Sequence, residues 1–161
     1  MKPWWAGTVL LAALGGLPAT AADDRARYSV EQRRSGSTFL APETRALQED
    51  DFAIPGLLWV EQGQRLWDAA AGNAKSCAQC HQQWVGSRLR GEVISQGQIN
   101  GHPVYRQIWQ TMGSSHRMFA WCNEAVRAEP QSPGSQEYVD LKLFVKWLGR
   151  GLPVETPAMR R

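Results

Sequence analysis

Apolar residues along this chain fall into a few separated patterns. The first is a nearly continuous run from Trp4 to Leu17, preceded by the single charge of Lys2 and followed by Pro18-Ala19-Thr20-Ala21-Ala22. A positive start, a short apolar stretch and small residues describe a cleavable secretory signal, cut after Ala21 or Ala22. The run falls short of the roughly 20 apolar residues that a membrane-spanning helix needs. From Asp23 to Asp51 the chain is polar and broken, with Pro42 and a short helical segment over Glu43 to Glu49. That pattern predicts an arm. The expected organisation is a signal peptide over 1–22, an N-terminal arm over 23–54 and one domain over 55–161.

Helical spacing begins after Pro55-Gly56. Within Leu57 to Asp68, Trp59, Gly63, Leu66 and Trp67 share one face, and Gly63 would let another helix approach closely. The stretch from Trp84 to Tyr105 holds Gly86, Gly91, Gly97, Gly101 and Pro103 and reads mostly as loop. Helical spacing returns over Tyr105 to Ala128, marked by Ile108, Trp109, Met112, Phe119 and Val126. After a turn at Gln131 to Ser135, Tyr138 to Leu148 forms a strong amphipathic helix, stopped by Gly149, Gly151 and Pro153. The expected fold class is all-α.

Charge and composition narrow the function. The chain has 18 Lys+Arg against 15 Asp+Glu, a net +3, and no basic run of five residues, so nucleic acid is not an expected partner. A hydrophobic content of 43% suits a globular protein, and past the signal no segment reads as a membrane span. Cysteine usage changes the picture most. Cys77, Cys80 and Cys122 all follow the signal, and an odd count in an exported protein leaves one thiol unpaired, bonded to another molecule or used chemically.

Cys77-Ala78-Gln79-Cys80-His81 is a C-x-x-C-H sequence, the attachment signature of a c-type haem. On one helical turn the i and i+3 thiols face the same way and reach two vinyl groups of one porphyrin, while His81 offers the proximal imidazole. A thioredoxin-like pair would want a βαβ context, and zinc would want a second ligand pair. One covalent haem c, held by Cys77 and Cys80 with His81 on the iron, is therefore expected in a small cytochrome c-like domain. The candidates for the sixth position are Met112, Met118, Met159, His102, His116 and Cys122. A thiolate there would donate strongly and lower the potential, whereas a thioether would raise it.

The run from Ser76 to Arg161 resembles the catalytic haem domain of the SoxA family, the larger subunits of the SoxAX cytochromes of sulfur oxidation. The resemblance rests on Ser76 to His81, Arg88-Leu89-Arg90-Gly91, Ile94-Ser95-Gln96-Gly97 with Asn100-Gly101, and Tyr105-Arg106. It continues through Trp109-Gln110-Thr111, Gly113-Ser114, Val126 to Pro130 and Gly151 to Ala158, with Arg33 to Trp59-Val60 similar to the family's N-terminal segment. The resemblance implies a periplasmic L-cysteine S-thiosulfotransferase that joins thiosulfate to a cysteine of a SoxYZ-like carrier. Electrons would leave through haem to a SoxX-like small cytochrome c. The family's iron ligands fall on His81 and on Cys122, which can carry an extra sulfur as a persulfide. A guanidinium beside Cys122 would help bind the thiosulfate dianion. The family usually has a basic residue four positions before the ligand cysteine; here that position is Met118, with Arg117 one place earlier, and Ala120 stands where Arg is frequent. Family members also carry two cytochrome-like domains where this chain has room for one. Arg88, Arg90 and Arg106 are candidates for the haem propionates or the substrate channel, and Trp84 and Trp109 for packing around the haem. A non-catalytic electron carrier of the same fold is the alternative, and a haem sensor with a displaceable ligand is a third reading.

Overall fold

Helices α2 (Leu57–Asp68) and α5 (Gln136–Leu148) form where the apolar periodicity places them, and their crossing holds the core of this computed structural model. The structure describes residues 29–81, 85–155 and 157–161. The signal expected over 1–22 and Trp84 lie outside the described residues. Ser135 starts α5, its hydroxyl accepting from the Tyr138 N–H at 3.4 Å, and Gly149 ends it.

Val60, Gly63 and Trp67 are the buried positions of α2. A Cβ on Gly63 would collide with the Asp140 carbonyl and with Phe144, so only glycine lets the two backbones meet here. Val60, Trp67, Ile99, Leu141, Phe144 and Val145 form the core cluster around that contact. Burying a side chain of this size stabilises the fold by about 1.5–3 kcal/mol. Trp59, expected on the inner face, is instead 46% exposed. With Gly63 seated on α5, the flanking inward positions, one turn to either side, are Val60 and Trp67.

The all-α expectation is corrected between the helices. Among the described residues there are five short strands: β1 (Arg88–Leu89), β2 (Glu92–Val93), β3 (Val104–Arg106), β4 (Thr111–Gly113) and β5 (Ala158–Arg160). β1 and β2 make a hairpin over Arg90-Gly91, whose φ values of +51° and +90° turn the chain as the right-handed strand twist requires. β4, β3 and β5 form a sheet in that order, antiparallel then parallel. The helix expected from Tyr105 is thereby split. After β3 the chain makes a 3-10 turn at Gln107–Trp109 and passes through a left-handed Gln110, which no continuous helix accommodates. Gly113 then lies so close under the Trp109 ring that a Cβ would clash. Ser114 caps a later helix, α4 (Ser115–Ala125), by accepting from the Arg117 N–H at 3.1 Å.

Asn100 ties the C-terminal segment to α5, donating to the Gly149 and Leu152 carbonyls at 3.0 and 3.3 Å. The chain divides into two compact units, one reaching Arg45 and one running from Ala46 to Arg161. The first contains 3-10 turns at Val30–Gln32 and Gly36–Phe39, and Arg45 holds the second turn by donating to the Ser37 and Thr38 carbonyls. Helix α1 (Pro42–Glu49) opens on a proline, a residue suited to the first helical position, and buries none of its side chains. Among the described residues no helix is long and apolar enough to cross a membrane.

Candidate functional site

Helix α3 is the single turn Cys77–His81. Its start is a reciprocal cap: the Gln79 N–H donates to Ser76 Oγ at 3.2 Å, and the Ser76 N–H donates to Gln79 Oε1 at 3.1 Å. The cap sets one full turn, so Cys77 and Cys80 lie three residues apart on one side and His81 closes the helix. The His81 ring packs on Trp67 with centroids 5.4 Å apart, and Trp67 packs on Phe144 at 5.9 Å. The helix crossing therefore positions the imidazole. His81 Nδ1 and Trp67 Nε1 are both buried without a hydrogen-bond partner. Burial holds the His81 imidazole below the ordinary histidine value, with the Gln98 side chain opposing the shift.

The loop before α3 is fastened to the end of α4. Ala71 and Lys75 bridge one another, the Asn73 N–H donates to the Val126 carbonyl at 2.9 Å, and Gly72, at φ +51°, leaves that carbonyl the room a Cβ would take. This link brings the last turn of α4, with Cys122, toward the motif thiols. All three cysteines are free and half-buried. Burial pushes the Cys122 thiol up to about 11; Cys77 and Cys80 push in the same direction, while Arg106 and Arg90 pull it down. Cys77 is pushed up to about 11 by burial and then by Cys80. The three sulfurs thus lie within electrostatic range of one another. Among the described residues no three His, Cys, Asp or Glu side chains converge as a bare metal ion would need.

The remaining candidates are dispersed. Met112 and Met159 are 47% and 61% exposed, on β4 and β5. His116 stacks with Phe119 at 6.4 Å and lies against Tyr138 at 5.9 Å. His102, half-buried in the turn before β3, has its imidazole held low by burial first and by Arg106 and Arg160 further. Met118 is half-buried one helical turn before Cys122, on the same side of α4.

A wall of indoles and guanidinia stands beside Cys122. Trp109 and Trp121 meet edge to face at 5.9 Å. The Arg106 guanidinium lies 5.7 Å from each ring, Arg90 4.9 Å from Trp121, and Arg117 4.5 Å from Trp109. Arg106 reaches inward because it shares a strand face with buried Val104. Arg117, expected at the site, is exposed; it lines a pocket of about 270 Å³ with Trp109, Ala120, Trp121 and Glu124. Arg88 donates to the Gly91 carbonyl and closes the hairpin turn. Trp121 and Gln98 were not marked by any spacing in the sequence; the one signal for Trp121 was its place beside Cys122.

No family model matches the chain. Individual proteins do. The L-cysteine S-thiosulfotransferase subunit SoxA of Pseudaminobacter salicylatoxidans is 40% identical over 104 residues, 64% of this chain and 36% of that protein. The subunit of the same name from Allochromatium vinosum is 40% identical over 104 residues, 63% and 37% of the respective chains. The crystal structure of SoxXA from P. pantotrophus matches with a TM-score of 0.60 and 35% identity, over 70% of this chain and 42% of that one. The chain spans a little over a third of the length of the curated relatives it matches. It is SoxA-like in sequence and in fold over that part.

Proposed function

We propose that this SoxA-like chain is a periplasmic haem c protein that joins thiosulfate to a cysteine of a SoxYZ-like carrier and passes electrons to a SoxX-like small cytochrome. In this reading residues 1–22 are the signal, 23–54 an arm and 55–161 the haem domain. The residues fit the group. Three thiols are free, the His81 Nδ1 is buried and unpartnered, and the donors suit a porphyrin iron better than a bare ion. Cys77 and Cys80 would hold one haem through thioether bonds, and His81 and Cys122 would bind its iron.

Bound haem supplies a one-electron acceptor beside the reacting sulfur. The chain's own residues do the rest. Iron ligation would displace the proton that burial otherwise keeps on Cys122; as a thiolate, its Sγ and the sulfane sulfur of thiosulfate form an S–S bond, and the two electrons leave one at a time to the partner cytochrome. The carrier thiolate then attacks the sulfane sulfur, and Cys122 leaves as thiolate, ready for the next cycle. Arg117, at the rim of its pocket, meets the incoming dianion. One observation carries this reading: the Asn73–Val126 tie fastens the end of α4 that bears Cys122 to the loop leading into the motif, and Cys122 lies within electrostatic range of Cys77 and Cys80.

The test is Cys122→Ala in the haem-loaded protein. Covalent haem is retained, while transfer of thiosulfate to the carrier falls by at least about 1,000-fold, as expected when a nucleophile is removed. Near-infrared and spin-resonance spectra of the oxidised wild type should report thiolate ligation. Full transfer in the variant would overturn the reading. Met118 favours a second one, a non-catalytic electron carrier, because its thioether lies one turn from Cys122 on the same side of α4. Thioether ligation in the spectrum, with no response to thiosulfate, would establish that alternative.

A further inference from the structure

Arg106 is the only buried cation among the described residues, at 9% exposure. Its Nε has no hydrogen-bond partner, and no carboxylate pairs with it among the described residues. A buried guanidinium needs an acceptor or a counter-charge. The faces of Trp109 and Trp121 meet that need only in part, because they take the charge and leave the N–H edge unmatched.

Two further guanidinia, Arg90 and Arg117, lie over the same indole pair. Like charges gathered this way repel unless an anion joins them. Arg90 stands at φ +51°, a turn position usually given to Asn, Asp or Gly, and the chain accepts the strained backbone there. Both Arg106 and Arg90 lie within electrostatic range of Cys122. The ligand this arrangement suits is a small oxoanion, since a guanidinium fork matches two oxygens of one centre.

We propose that Arg106, backed by Arg90, binds the oxoanion end of the sulfur substrate beside Cys122. The identity of the substrate rests on the function proposed above; the anion site itself does not. A haem carboxylate presents the same chemistry, so the experiment separates the two sources. Haem-loaded wild type, Arg106→Gln, Arg106→Lys and Arg90→Gln are titrated with thiosulfate and with sulfate by calorimetry. Haem content and midpoint potential are measured on the same samples.

Arg106→Gln should weaken thiosulfate and sulfate binding about 10- to 100-fold, Arg106→Lys less, and Arg90→Gln about 3- to 10-fold. Haem content and potential should stay at the wild-type values. Unchanged anion affinity in Arg106→Lys and Arg90→Gln overturns the proposal, and so does a wild type that binds neither anion. A lower haem content or a shifted potential at constant anion affinity assigns Arg106 to the haem carboxylate instead. Arg90→Gln, in an exposed turn, keeps the test decisive where Arg106→Gln does not fold. Carrier transfer with an unmoved KM in the lysine variant refutes the anion site and leaves the transferase standing. Arg106-dependent anion binding with no carrier modification does the reverse.

Discussion

At the α2–α5 crossing, backbone meets backbone through Gly63, apolar side chains fill the flanks, and the buried Asp140 carboxylate accepts from Gln136 at 2.6 Å. The site, by contrast, leaves His81 Nδ1, Trp67 Nε1 and Arg106 Nε buried without partners and holds three free thiols. Trp67 belongs to both regions, touching Phe144 on one side and His81 on the other. An unmet buried polar group costs about 1–3 kcal/mol, so the packed crossing stabilises a site whose own polar groups are incomplete. The difference teaches where this molecule keeps its stability and where it keeps its chemistry.

The comparison breaks most directly at Gly63. Gly63→Ala places a methyl group against the Asp140 carbonyl and forces the helices apart, with an expected loss of about 3 kcal/mol or more. Denaturant midpoints of the haem-loaded protein measure it; a loss under about 1 kcal/mol would mean that the helices do not meet as described. A smaller effect is expected on the site side. Ser76→Ala removes half of the reciprocal cap on α3 and should cost about 1 kcal/mol. The double variant with Gln79→Ala should cost less than the sum of the singles, because both act on one cap. Strict additivity would dissociate the two hydrogen bonds.

The smallest effect lies at the outer end of the crossing, where Arg150 donates to Asp51 at 2.8 and 2.9 Å. Hydrogen bonding from Arg150 holds the Asp51 carboxyl below its ordinary value. The unfolded chain then takes up this proton at a higher pH than the folded one. The pair's contribution is complete above the ordinary carboxylate pKa of about 4, and is lost as pH falls through the depressed value. The stability difference between wild type and Asp51→Asn should therefore be small at pH 7, shrink in high salt and vanish in acid. A difference that persists at low pH would show that Asp51 acts through packing.

Much of this could be read from local pattern. The 3.6-residue period marks α2 and α5, Gly63 reads as a close approach, and Cys77 to His81 reads as one turn because its cap and its cysteine and histidine positions lie within six residues. The segment Val104 to Gly113 could not be read this way. Its apolar spacing imitates a helix, but β3 pairs with β5, whose residues lie more than fifty positions later. Trp121 was likewise hidden, and although Arg106 was a candidate, its burial between Trp109 and Trp121 was not legible, since a strand, a 3-10 turn, a hairpin and a helix combine to make that wall.

From the order of residues alone, the one-turn C-x-x-C-H helix and the two principal helices were already determined, because capping, periodicity and the motif's spacing act within a few bonds. Only the tertiary structure decided which sulfur approaches the motif and which cation is enclosed beside it. Those choices depend on the Asn73–Val126 tie and the β3–β5 pairing, contacts between residues far apart in the chain whose energies no local window contains.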